Sequence, residues 1–162
     1  MKRSSTLFLR AAVIMIGIPV VGLCLFLPQI ANEAIEEAKK GAEVAYVVIG
    51  ILIFLYSSAI PFFFALYQAM KLLSHIDKNK SFAQTSVLAL KKIRNCAIII
   101  SVLYVLALPL IYIAAEWDDA PGLIVIGLVI IGASLVISVF AAVLQRLLQE
   151  AIHIKSENDL TV

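Results

Sequence analysis

The chain has 162 residues, of which 62% are hydrophobic and only 15% charged, with a formal net charge of +2. Soluble domains carry about 25% charged residues, so this composition excludes an ordinary water-soluble fold. Two cysteines exclude a disulfide-stapled scaffold, and the near-neutral charge excludes a strongly basic nucleic-acid binder.

The charges are segregated. Ala11–Asn32, Val44–Met70, Asn95–Ala115 and Ala120–Gln145 contain no Asp, Glu, Lys or Arg. Each reaches the roughly 20 residues that cross about 30 Å of hydrocarbon at about 1.5 Å per residue. The expected fold is all-α: an integral membrane four-helix bundle forming a single domain over residues 1–162. Its spans lie near 11–31, 44–70, 96–115 and 121–145, with a central loop 71–95 and a tail 146–162.

The first apolar run follows "MKRSSTLFLR" and exceeds the roughly 7–15 residues of a signal-peptide core. "VGLC" at Val21–Cys24 resembles a lipoprotein cleavage box, but Leu23 stands where a small residue is wanted. An uncleaved anchor is expected. Pro19 and Pro28 fall in this span. The polar segment "NEAIEEAKKGAE" can extend the helix, with Glu36 and Lys40 at i,i+4 spacing and Gly41 as a stop.

Span two contains Pro61, which removes a backbone donor and crowds the preceding turn. A kink is expected around Ser57–Pro61, with the Ser57 or Ser58 hydroxyl satisfying the freed carbonyl. The stretch "KNKSFAQTSVLALKKIRNC" then interrupts the apolar sequence. From Ser81 onward, Phe82, Ser86, Ala89, Leu90, Ile93 and Ala97 fall on one helical face, with Gln84, Lys91 and Asn95 opposite. Ser81 and Gln84 have capping-box spacing. This predicts an amphipathic cytoplasmic helix between spans two and three that hugs the membrane surface and then feeds into span three. Phe82, Leu90, Lys91, Lys92, Ile93 and Arg94 are its candidate contacts with lipid or a partner.

Span three carries Pro109, and the short turn "EWDDAPG" makes spans three and four antiparallel neighbours. Asp118 or Asp119 is placed to cap span four, with Pro121 in its first turn. Tyr46, Tyr112 and Trp117 form an outer aromatic set, with Tyr67 at the inner boundary. Span four continues as a helical C-terminal extension. Leu144, Leu147, Leu148, Ala151 and Ile152 share one face of it, so Leu147, Leu148 and Ile152 join the candidate contacts. Such stripes pack internally, on lipid or on a partner.

Eleven of the thirteen Lys and Arg residues lie in the N-terminal segment, the central stretch and the tail. Positive charge is retained in the cytosol, so both termini and the central loop are expected there, in a cytoplasmic membrane. Cys24 lies about 20 Å up span one from Arg10 at about 1.5 Å per residue. Cys96 opens span three at the inner boundary, so no disulfide is expected.

The spans contain no Asp, Glu, Lys, Arg or His. Proton and ion pathways usually need such groups at membrane depth, so proton-coupled transport is disfavoured. The polar groups that remain include Tyr56, Ser57, Ser58, Tyr104, Ser134 and Ser138, the candidate intramembrane set. Ser134, Ser138 and Ala142 make a small-residue stripe for helix contact. His75 and His153, with Asp77 and Glu150, lack a metal-ligand pattern, and the outer acids read as a solvated face. Gly122, Gly127 and Gly132 are unlike a nucleotide loop. Neither catalytic residues, a cofactor nor a metal is expected, and Lys91, Lys92 and Arg94 are too few for nucleic acid.

"AIPFFFALYQAMKLLSHIDKNKSF", "ALKKIRNCAII", "DDAPGLIVIGLVII" and "FAAVLQRLLQEAIHIKSENDLTV" together resemble a family of small bacterial membrane proteins catalogued as domain of unknown function 2975. The resemblance covers nearly the whole chain and implies four spans in a bacterial cytoplasmic membrane. It brings no catalytic residues. Members are often encoded beside a small helix-turn-helix regulator, which implies such a protein as partner by association only. Three functions follow as expectations. The first is a non-enzymatic regulatory protein whose cytoplasmic helices bind a partner. The second is a small exporter or immunity-type protein for lipophilic or peptide compounds. The third is a scaffold subunit of a membrane complex. The lipid bilayer is a partner in each, and homo-oligomerisation is compatible with all three.

Overall fold

A computed structural model describes residues 3–77 and 83–161, with side chains from residue 5 onward. It contains four helices, α1 (Arg3–Lys39), α2 (Glu43–Asp77), α3 (Gln84–Trp117) and α4 (Gly122–Leu160). Each is long and apolar enough to cross a membrane. They run for 37, 35, 34 and 39 residues, about 51–58 Å at about 1.5 Å per residue. That exceeds about 30 Å of hydrocarbon. The surplus lies mostly at the base-rich end, where α1 begins, α2 ends, α3 begins and α4 ends.

The packing order is serial. α1 lies on α2, α2 on α3 and α3 on α4; among the described residues α1 and α4 do not pack on each other. The helix contacts are built from small residues. Ala45, Ala89, Ala97, Ala107, Ala115 and Ala141 are buried, while large residues such as Phe8, Phe26, Ile60 and Phe140 point outward. Lipid tails are as apolar as leucine, so helices in a membrane gain by close backbone approach rather than by hiding apolar surface. On α4 the buried seam is Gly127, Ile131, Ser134, Ser138 and Ala141. That 4-3-4-3 spacing suits helices crossing at a shallow angle. It replaces the expected Ser134–Ser138–Ala142 stripe at its last member.

The amphipathic surface helix expected between spans two and three is not found. Residues 84–95 are the first turns of α3, continuous with the span. Their apolar face meets protein: Ser86, Val87, Ala89 and Leu90 are buried. A face flanked by two packed neighbours is better satisfied within the bundle than on a lipid surface. Ser81 and Phe82 lie outside the described residues, and Ala83 stands at the N-cap without a side-chain cap.

Pro61 sits within an unbroken α2. Neither serine hydroxyl turns to the carbonyl it frees: Ser57 Oγ donates to Ile53 O at 2.7 Å, and Ser58 Oγ to Leu55 O at 2.8 Å. Both bond back along the preceding turn, as helical serines do.

The turn after α1 matches its sequence. Gly41 has φ +86°, its N–H donates to Ala38 O at 3.0 Å, and the Ala42 N–H donates to Glu37 O at 3.3 Å. This is a Schellman cap, in which a left-handed residue lets the orphan carbonyls be met. Lys40 pairs with Glu37 at 2.6 Å rather than with Glu36. Gly41→Ala should lower stability by about 1 kcal/mol, read by unfolding in bicelles.

At the opposite connection neither aspartate caps α4. Asp118 is the C-cap of α3, and Asp119 takes the left-handed position at φ 49°. Pro121 precedes the first turn of α4 with helical angles and no side-chain cap bond. The aspartates terminate one helix instead of starting the next.

Candidate functional site

Small residues on α2 make room inside the bundle. Leu55, Ser58, Phe62, Ala65 and Ala69 recur at helical spacing on one face, with alanines where leucines would fill the space. Across from them stand Ile93, Ala97 and Tyr104 of α3 and Ile130, Ala133 and Ser134 of α4. Ile16, Val20, Leu23, Cys24 and Leu27 of α1 form the remaining wall. The partly open cavity they line measures about 510 Å³. Water is a poor filler for such walls, because a buried water needs two to four polar partners. In a bilayer the space calls for an apolar occupant.

The cavity occupies a defined depth. On α2 and α3 its walls run from the base-rich end, at Ala69 and Ile93, up to Leu55 and Tyr104 near mid-membrane. Among the described residues, no charged side chain lines it. Ser58, Tyr104 and Ser134 meet at it, so the structure brings together half of the expected intramembrane polar set. The other half lies elsewhere. The Tyr56 hydroxyl donates to Cys24 O at 3.4 Å, Ser57 bonds within its own helix, and Ser138 Oγ donates to Leu135 O at 2.7 Å. Tyr56 and Ser57 border a smaller recess between α1 and α2.

The expected cytoplasmic contact residues are divided. Phe82 lies outside the described residues. Leu90 is buried and Ile93 lines the cavity, so neither forms an outer face. Lys91 and Lys92 are exposed, the latter with Nζ 6.0 Å from the centre of the Phe64 ring. Arg94 is half-buried and reaches Asn95 Oδ1 at 3.4 Å. On α4, Leu148 and Ile152 are half-buried while Leu147 is exposed.

An ion pair below the cavity went unforeseen. Arg10 Nη2 of α1 lies 2.7 Å from Asp77 Oδ2 of α2, with both side chains about two-thirds or more buried. The readable signal was their shared boundary: Arg10 precedes span one, and Asp77 follows span two on an antiparallel neighbour. Nearby on the same end, His75 Nδ1 and Gln145 Oε1 are buried without a hydrogen-bond partner among the described residues. A double-mutant cycle of Arg10→Ala and Asp77→Ala should give a coupling of about 1 kcal/mol, measured by unfolding in bicelles. Additive single effects would mean that the pair contributes nothing.

Four long apolar helices around a lining without charge define a multi-span helical membrane protein. The chain belongs to the family described as "protein of unknown function (DUF2975)", whose model matches residues 32–162. It is 60% identical, over the full length of both chains, to a Bacillus subtilis (strain 168) protein named "Uncharacterized membrane protein YoaS". The family model begins at the end of span one, whereas this relative covers that span too. No solved structure matches the chain.

Proposed function

We propose that this is a non-enzymatic protein of the bacterial cytoplasmic membrane that holds a lipophilic molecule between its four helices. The supporting observation is the cavity. Its volume falls in the range of about 300–1,000 Å³ typical of small-molecule sites, and its lining is apolar apart from Cys24, Ser58, Tyr104 and Ser134. None of these four has a histidine or carboxylate within the lining to activate it, which argues for binding rather than catalysis. The distribution of Lys and Arg supports a cytosolic position for both termini. The purified protein should raise the fluorescence of the apolar probe N-phenyl-1-naphthylamine saturably, at about one probe per chain. A rise that never saturates, matching an unrelated four-span protein, would overturn the reading.

One observation favours a second role beside the first. Leu147 and Ile154 recur seven residues apart on α4 and are exposed, as is Leu160. They lie beyond the expected end of span four at residue 145. On this reading the tail binds a cytosolic partner by its helical face, a small helix-turn-helix regulator being the one the family association suggests. Photo-crosslinkers at Leu147 and Ile154 should capture one such protein in native membranes; capture of none under several growth conditions would remove this role.

A further inference from the structure

The cavity has an open seam. α1 and α4 would have to meet to close the ring of four helices, and they do not. The residues at this seam differ from those of the floor. Ile16 of α1 and Ile137 of α4 line the cavity yet are 56% and 52% exposed, whereas Ser58 and Ser134 are each 7% exposed. Leu23, seven residues after Ile16 on the same face of α1, is exposed as well. The mouth is therefore a lengthwise slit at hydrocarbon depth.

The shape of the space narrows its occupant. Its α2 wall runs from Leu55 to Ala69, about 21 Å at about 1.5 Å per residue. One leaflet is about 15 Å deep, half of about 30 Å, so the space suits something long and thin. Its lower end lies toward the base-rich end of the bundle, where the helices carry Arg10 on α1, Lys71 on α2, Lys92 and Arg94 on α3 and Arg146 on α4. A head group at the membrane surface would sit there.

Building on the lipophile-binding reading, we infer that the occupant is an acyl chain of a phospholipid from the base-rich leaflet, which slides in sideways between α1 and α4. The head group stays at the boundary, and the chain fills the interior that the alanines of α2 leave open. The bundle then needs no aqueous path, because the ligand is already in the solvent that surrounds it.

Tryptophan quenching in nanodiscs tests this. Trp117 is the only tryptophan, so Trp117→Phe gives a silent background. On it, Phe62→Trp and, independently, Tyr104→Trp report from opposite walls of the cavity, and Phe140→Trp reports from the outer surface. With phospholipids brominated on the acyl chain, the cavity reporters should be quenched to within about twofold of the surface reporter. Ala133→Phe should reduce that quenching at least threefold while leaving position 140 unchanged. Strong quenching at position 140 with none at 62 and 104 would overturn the inference. So would quenching of the cavity reporters by an added brominated fatty acid but not by the brominated phospholipid. The naphthylamine assay separates the two levels: if that probe still saturates, only the lipid occupant falls, and if it does not, the binding function falls with it.

Discussion

Gly50→Leu should be the most damaging single change in the membrane interior, lowering stability by about 3 kcal/mol. A β-carbon built at Gly50 would lie 2.9 Å from a terminal methyl of Leu110 on α3. Alanine there requires only a rotation of that flexible side chain, and Gly50→Ala should cost less than about 1 kcal/mol. Leucine adds a branched group with no space to occupy, and it must push α2 and α3 apart where close approach is the source of their attraction. Gly22→Leu and Gly132→Leu are the controls. Nothing lies within 4 Å of a β-carbon at either site, so both should stay within about 0.5 kcal/mol of the parent. Unfolding in bicelles measures all four. Equal losses at Gly50 and Gly22 would mean that the α2–α3 contact is not as described.

The second large effect is on binding. Ala59→Phe combined with Ala133→Phe places two rings into the cavity from facing walls. The dissociation constant for N-phenyl-1-naphthylamine should rise at least tenfold, equivalent to about 1.4 kcal/mol. Stability should not fall in parallel, since the rings occupy space that the native side chains leave open. Unchanged affinity, or a loss of helicity that tracks the loss of binding, would contradict the assigned site.

Much of the architecture could be read from residue patterns because bilayer thickness sets a length that sequence must obey. The charge-free runs located all four spans, "EWDDAPG" made spans three and four neighbours, and Gly41 marked the first stop. The central stretch was misread for a physical reason. Helical periodicity at Ala89, Leu90 and Ile93 reports that a face is covered, not what covers it. Two flanking helices claim that face, so it packs inside the bundle instead of lying on the membrane surface. The aspartates after Trp117 misled in a similar way, since Asp serves both as an N-cap and as a residue tolerant of positive φ.

The candidate site was half legible. Ser58, Tyr104 and Ser134 stood out as polar groups at membrane depth. The cavity itself did not, because a void is a difference between facing surfaces and one sequence does not align them. A signal did exist in the small residues Ser58, Ala65 and Ala69 spaced along one face of α2, opposite Ala97 of α3 and Ala133 of α4. The α1 wall, with Ile16 and Leu23, resembled any lipid-facing stripe. Its role emerges only from the missing contact with α4.

Both the proposed lipid-filled interior and the proposed cytosolic role of the tail depend on how the four helices sit across the bilayer. Paired reporter fusions measure this most directly, with alkaline phosphatase and green fluorescent protein joined in turn after Gly41, Asp77, Asp119 and Thr161. Phosphatase should be active only after Gly41 and Asp119, and fluorescence should appear only after Asp77 and Thr161. Phosphatase activity at Asp77 or Thr161, or the same reporter response at Gly41 and Asp77, would contradict the account.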